Sequence, residues 1–189
     1  MKRKFVNFSR LHVYSCTVDS NVISFKIQKS DDIVIKVCNS DDLILFGKLK
    51  EKFHNDMKDG NILVGAFKDN KVVGYNWIGL DCTYVPEIER FVYFNGAYIY
   101  RLLVYPDFRR EGIAKNLLTF SINYILEEYD ITNIYTLVMS NNKNSKKTFE
   151  SLNFVRTNSM KFYRVLFWNK FKDNIRDDNI KTFLGNQLN

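Results

Sequence analysis

The sequence predicts a mixed α/β sheet with helices packed on it, and three observations carry that reading. β-branched and aromatic runs dominate the first half of the chain, a strand-helix-strand-helix succession follows from residue 97, and 46% of the 189 residues are hydrophobic. That is enough apolar surface for one full core and too short a chain for two. The 16 Phe and 11 Tyr also exclude a disordered chain, which lacks the apolar surface needed to offset ordering entropy.

Taken in order, residues 22–27 and 33–38 are β-branched and partly alternating and read as strands, with Ser30-Asp31-Asp32 as the turn between them. Ser40-Asp41-Asp42 supplies an N-cap. Leu43, Phe46, Leu49, Phe53 and Met57 then recur at three- and four-residue steps until Asp59-Gly60, so this segment is an amphipathic helix. Residues 62–67 and 71–80 flank the polar turn Lys68-Asp69-Asn70 as an antiparallel hairpin. Residues 81–95 read as loop and partial strand, because Pro86, Glu87 and Glu89 interrupt an aromatic pattern. Residues 97–104 are a strand, 112–129 a helix, 133–139 a strand, 144–152 a short helix, and 154–167 one or two strands. The last twenty residues, rich in Asn, Asp and Lys, read as a polar helical tail.

Composition narrows the function classes. Cys16, Cys38 and Cys82 are odd in number, far apart and without CxxC spacing, so no disulfide framework or metal site is expected and a reducing compartment fits best. Asn7, Ser9, Arg10 and His12 break any apolar core of a signal peptide after the basic start, and there is no apolar run of membrane-spanning length. We expect a cytoplasmic protein with no membrane partner. A net charge of +7 and a pI of 9.2 allow an anionic partner. The basic residues are scattered, however, and no arginine-rich arm, zinc finger or RNP-like motif points to nucleic acid.

The most informative segment runs from Leu102 to Leu118. Pro106 ends the strand, Arg109 and Arg110 bring positive charge, and Gly112 frees the backbone to turn or to approach a ligand. Ile113, Leu117, Phe120 and Tyr124 then recur at helical spacing, which sets the helix's first unpaired N–H groups beside the basic loop. The arrangement is that of an anion site.

This segment reads Arg109-x-x-Gly112-x-Ala114 and is preceded by Val104-x-Pro106. Downstream the chain reads Asn142-x-x-Ser145-x-x-x-Phe149-x-x-x-Asn153-Phe154. In order and spacing the two motifs resemble those of the GNAT superfamily of N-acetyltransferases, over roughly residues 33–167. The resemblance implies a mixed, mostly antiparallel central sheet flanked by helices, the GNAT-like acyl-CoA N-acyltransferase fold. It implies a GNAT-like domain over residues 31–168, with residues 1–30 as an N-terminal extension packing on it and 169–189 as a polar C-terminal tail. For the extension, covering a sheet edge and contributing to a homodimer are both open.

By the same resemblance, acetyl-CoA is the co-substrate and an amine the acceptor. The backbone of Leu102, Leu103 and Val104 would hydrogen-bond the pantetheine arm as an added strand, and a backbone N–H of that strand would polarise the thioester carbonyl. The N–H groups of Arg109, Arg110, Glu111, Gly112, Ile113 and Ala114, with Lys115 alongside, would hold the pyrophosphate. Asn142 matches a cofactor-contacting position. Charge alone suggests Arg109, Arg110, Lys115, Lys146 or Lys147 for the adenosine 3′-phosphate. No cysteine lies near the motifs, which favours direct attack in a ternary complex.

Two positions depart from the family pattern. Phe149 stands where many relatives have a tyrosine that can protonate the departing sulfur, and Phe149 has no proton to give. Asn153 replaces the usual glycine, which asparagine tolerates where a left-handed backbone is required. As general base, Tyr98 and Tyr100 are candidates, since strand alternation puts them on one face with Leu102 and Val104. Glu87 and Glu89 are alternatives. Core packing for the tyrosines and simple solvation for the acids remain open. A non-catalytic acyl-CoA-binding module is the second expectation.

Overall fold

The structure is a computed structural model that describes residues 6–18, 32–80, 82–165 and 168–184. In chain order it contains β1 (Val6–Thr17), β2 (Val34–Val37), a 3-10 segment (Asp42–Leu49), α1 (Lys50–Lys58), β3 (Ile62–Lys68), β4 (Lys71–Gly79), β5 (Thr83–Val85) and β6 (Arg90–Phe94). There follow β7 (Ala97–Val104), a 3-10 turn (Pro106–Phe108), α2 (Ile113–Tyr129), β8 (Asn133–Met139), α3 (Lys143–Glu150), β9 (Val155–Val165), β10 (Trp168–Asp173) and β11 (Ile180–Phe183). The expected strand at residues 22–27 lies outside the described residues. The strands form mixed, mostly antiparallel sheets flanked by helices, as the sequence predicts. No helix among the described residues is long and apolar enough to cross a membrane.

The chain divides into two compact units. The first comprises Thr17–Leu80 and Ala97–Ile134, with strands in the order β7-β4-β3-β2, each neighbour antiparallel. The β3-β4 hairpin closes through Asp69 and Asn70, whose φ values of 48° and 59° make the two-residue turn whose twist matches the strands. One sheet face carries an aromatic core in which Phe53 packs edge-on against Trp77 and Tyr75, with ring centroids 5.1 and 5.2 Å away. Phe46 and Leu43 complete it.

The helix expected from Ser40 to Gly60 is therefore amphipathic as read, but it is not continuous. Gly47, at φ 55° and ψ −122°, breaks it into the 3-10 segment and α1. The cap also differs from the expected one: Asn39 Oδ1 accepts from the N–H groups of Asp41 and Asp42, while Asp42 Oδ2 accepts from the Asn39 N–H.

On the other face α2 buries Ile113, Leu117, Leu118, Ile122 and Ile125. Gly74 permits its close approach, since a Cβ there would stand 2.9 Å from the Leu103 carbonyl oxygen and 3.2 Å from Leu117 Cδ1. Beside it, fully buried Asn76 donates through Nδ2 to Ser121 Oγ at 2.9 Å, and Ser121 donates back to Asn76 Oδ1 at 3.2 Å.

The second unit comprises Met1–Cys16, Asp81–Gly96 and Tyr135–Asn189. Its strands run β10-β9-β1-β8, and β11-β6-β5 form a separate antiparallel sheet. Two expectations change here. Residues 6–17, read as part of an extension, form β1 between β9 and β8. Both of its faces are covered: Ser9, Leu11 and Val13 are buried on one, His12 and Tyr14 on the other. The tail expected to be helical forms β10 and β11 instead, because pairing with β9 and with β6 (Ile180 opposite Phe94) overrides local composition. Of the segment read as loop and partial strand, residues 83–94 form the β5-β6 hairpin, with Pro86 in its turn and Ile88 fully buried.

The fold generates two predictions. Burial, and then the positive charges of Arg156, Lys146 and Arg10, lower the His12 pKa from 6.5 to about 4. Between those values the unfolded chain takes up a proton that the folded chain refuses, so stability falls as pH drops from 6.5 towards 4. His12→Gln should flatten this part of the thermal-melt profile relative to wild type, and parallel profiles would contradict a buried neutral imidazole. Ser121→Ala strands the Asn76 amide in the core and should cost about 1–3 kcal/mol in urea unfolding, against no change if the pair is dispensable.

Candidate anion-binding site at the start of α2

The site is built where β7 hands the chain to α2. Tyr105 N–H still donates to the Val73 carbonyl at 2.9 Å, and Pro106 then starts a single 3-10 turn in which Phe108 N–H bonds the Tyr105 carbonyl. Arg109 leaves that turn extended and folds back, its Nε donating to the Val104 carbonyl at 3.1 Å. Arg110 and Gly112 are both left-handed, at φ 72° and 76°. Glycine accepts that conformation without strain, whereas Arg110 accepts it at some cost. Successive turns of this kind point neighbouring N–H groups into one concavity.

Gly112 is the N-cap of α2 and offers no side chain to its first turn. The first intrahelical bond runs from Asn116 N–H to the Gly112 carbonyl at 3.0 Å, so the N–H groups of Ile113, Ala114 and Lys115 have no intrahelical acceptor. No acidic residue occupies that first turn. Arg109, Arg110 and Lys115 are exposed around it, so the helix dipole and the side chains favour an anion together. Asp107 in the 3-10 turn and Glu111, both exposed, are the two acids of the loop.

The strand feeding this loop departs from regular alternation. Leu103 pairs with Tyr75 and Tyr100 with Trp77, so Asn76 alone faces Arg101 and Leu102. This is a β-bulge, with Arg101 left-handed at φ 50°. Its guanidinium is held by Asp56 of α1, Nη1 to Oδ2 at 2.6 Å. The extra residue corrects the expected strand face. Tyr98 and Tyr100 lie on the aromatic-core side, Leu103 joins them there, and Leu102 and Val104 turn to the α2 side. Strand periodicity alone could not show this, because a left-handed arginine has no local sequence signature.

The candidate catalytic residues have different surroundings. Tyr98 is buried, and its ring stacks on Tyr100 at 5.1 Å, 3° from parallel. The Tyr100 hydroxyl donates to Asn61 Oδ1 at 2.8 Å, and burial pushes its pKa well above the usual phenol value. That hydroxyl keeps its proton and is a poor base. Sequence reasoning missed Asn61, which also donates to the Asp56 carbonyl and so ties Tyr100 to α1. Glu89 is left-handed at φ 53° in the turn before β6 and belongs to the second unit, while the tyrosine pair belongs to the first.

Asn142 also belongs to the second unit, where it caps α3. Its Oδ1 accepts from Ser145 N–H at 3.1 Å, which leaves its amide NH2 as donor. Phe149 is buried edge-on against Phe154 at 5.1 Å, as an apolar packing residue. Asn153 takes φ 63°, the left-handed backbone its place in the motif requires.

Known proteins resemble this chain in sequence and fold. The acetyltransferase (GNAT) family model matches residues 36–154. An N-alpha-acetyltransferase of Saccharolobus solfataricus is 29% identical over 103 residues, covering 52% of this chain and 59% of that protein. The chain thus spans under two thirds of this relative's length. Among solved structures, a GNAT-family acetyltransferase from Colwellia psychrerythraea is similar at TM-score 0.60 and 16% identity, over 84% of this chain and 57% of that one. An aminoglycoside N-acetyltransferase in complex with CoA is similar at TM-score 0.53 and 20% identity, over 72% of this chain and 98% of that one. These two likenesses concern the fold. The family match extends from β2 to the residue before β9 and takes in the bulged strand, the left-handed loop and the capped α3: the chain belongs to the acetyltransferase (GNAT) family.

Proposed function

We propose that the protein transfers an acetyl group from acetyl-CoA to a primary amine by direct attack in a ternary complex. The observation that carries this reading is the start of α2, where the unpaired N–H groups of Ile113, Ala114 and Lys115 follow two left-handed residues and stand among three basic side chains. That donor set fits a pyrophosphate. Acetyl-CoA supplies the activated thioester. The backbone of Leu102, Leu103 and Val104 carries the pantetheine arm, and a strand N–H beside the bulge polarises the carbonyl. Asn142 contributes its amide NH2.

In the reaction the amine nitrogen bonds the thioester carbonyl carbon, the carbon–sulfur bond breaks, the amine loses a proton and the thiolate gains one. An acetyl-cysteine intermediate on Cys16 or Cys38 is disfavoured. Cys16 and Cys38 are buried, and burial raises both thiol pKa values, that of Cys38 to about 12, so neither supplies a thiolate nucleophile. Phe149 donates no proton, and Tyr100 is tied to Asn61. We therefore assign the amine's proton to Glu89 or to water and the thiolate's proton to water, with Tyr98 and Tyr100 shaping the sheet face. Three cysteines with no CxxC spacing fit a cytoplasmic setting. The name of the Saccharolobus relative makes peptide α-amines the first acceptors to test.

Phe149 also favours a second reading, an acyl-CoA-binding module without turnover. Calorimetric titration with acetyl-CoA, followed by CoA-thiol release over a panel of peptide and small-molecule amines, separates the two. Binding with release supports the transferase, binding without release the module, and no binding overturns both. Gly112→Val, which forces a β-branched residue into a left-handed cap, should weaken acetyl-CoA at least about tenfold. An unchanged affinity would remove the loop from the site. Tyr100→Phe should leave turnover unchanged, a loss in Glu89→Gln assigns the amine's proton to Glu89 and no loss assigns it to water, and a loss in Tyr100→Phe alone would restore Tyr100 as the base.

A further inference from the structure

The second unit contains a cluster of basic groups that the acetyl-transfer reading leaves unused. Arg10, His12 and Tyr14 alternate onto one face of β1. Across the ladder their β9 partners on that face are Lys161, Ser159 and Arg156. α3 lies over the same face: the Tyr14 hydroxyl donates to Glu150 Oε1 at 3.0 Å. Lys146, one turn earlier on α3, donates to the Ser140 carbonyl, while Ser140 N–H donates to the Arg10 carbonyl. His12 is 6% exposed, and neither Nδ1 nor Nε2 has a hydrogen-bond partner. Arg10 Nε is likewise buried and unpartnered. Among the described residues, none of Arg10, Lys146, Arg156 and Lys161 forms an ion pair.

Leaving such groups buried and unsatisfied is costly, and packing several cations around them with Glu150, already held by Tyr14, as the one carboxylate of α3 adds to the cost. A single tetrahedral oxyanion would relieve both. It would accept from imidazole and guanidinium N–H groups at the floor and from Lys146 and Arg156 at the rim, where Arg156 is exposed to solvent. We propose that this face of β1 binds a phosphate-class anion through His12, Arg10, Lys146 and Arg156. The observations behind it do not depend on the acetyl-transfer reading.

The electrostatics agree in direction. The same three cations help to keep His12 neutral, so a bound dianion should raise its pKa. Of the other titratable groups on these elements, Glu150 is engaged by Tyr14, and the one titratable residue of β8, Tyr135, stacks on Phe94.

The chain has two histidines, His12 and His54, so imidazole NMR signals report the site directly. Sodium phosphate, titrated against sodium chloride of equal ionic strength, should shift the His12 signals saturably and raise their titration midpoint while His54 stays still. Arg156→Ala, checked by its melting temperature, should weaken this binding about tenfold. Comparison of CoA with dephospho-CoA then assigns the source: a His12 response to CoA alone marks the 3′-phosphate, and a response to inorganic phosphate alone marks a free phosphate. His12 signals that respond to neither phosphate nor CoA overturn the proposal, as does equal phosphate affinity in Arg156→Ala.

Discussion

The two-against-one pairing at Arg101 and Leu102 opposite Asn76 sets the geometry of everything downstream in the first unit. Without that extra residue, Leu103 would face α2 and Val104 the aromatic core, and β7 would deliver the loop from the wrong side. Neighbouring groups hold the bulge from two directions. Asp56 fixes the Arg101 guanidinium from α1, while Asn76 is tied to Ser121 and so to α2. Gly74 lets α2 approach the sheet beside this point. The start of α2 therefore reaches the end of the strand through a rigid connection.

Electrostatics then gives the rigid connection a chemical use. Short helices with open first turns are common, but here two left-handed residues precede the turn, no acid occupies it, and three basic side chains surround it. On the proposed reading the site binds and orients a charged carrier and is less suited to moving protons. The tyrosines of β7 are enclosed in the aromatic core, and Phe149 is packed against Phe154. On this account rate acceleration rests mainly on positioning and carbonyl polarisation.

Much of this was legible in the sequence, for identifiable reasons. Pro106, Gly112 and the stripe from Ile113 to Tyr124 each act locally, so the strand end, left-handed cap and helix follow from residue type and spacing. The Asp69-Asn70 turn was legible for the same reason. What escaped depends on partners distant in sequence. The polar residues of β1 masked a strand enclosed between two others, and the tail formed strands because β9 and β6 offered edges. Gly47 split a helix whose apolar period runs unbroken through it. The bulge escaped because the period of a strand carries no sign of an inserted residue.

The central claim is that the exposed N–H groups of the first turn of α2 hold the phosphates of the acyl carrier. Backbone amide NMR during titration with acetyl-CoA tests it most directly. The account predicts the largest, saturable displacements at Gly112, Ile113, Ala114 and Lys115, with Leu102 to Val104 moving in the same titration and α1 remaining still. Saturable binding that leaves those four amides in place would contradict it.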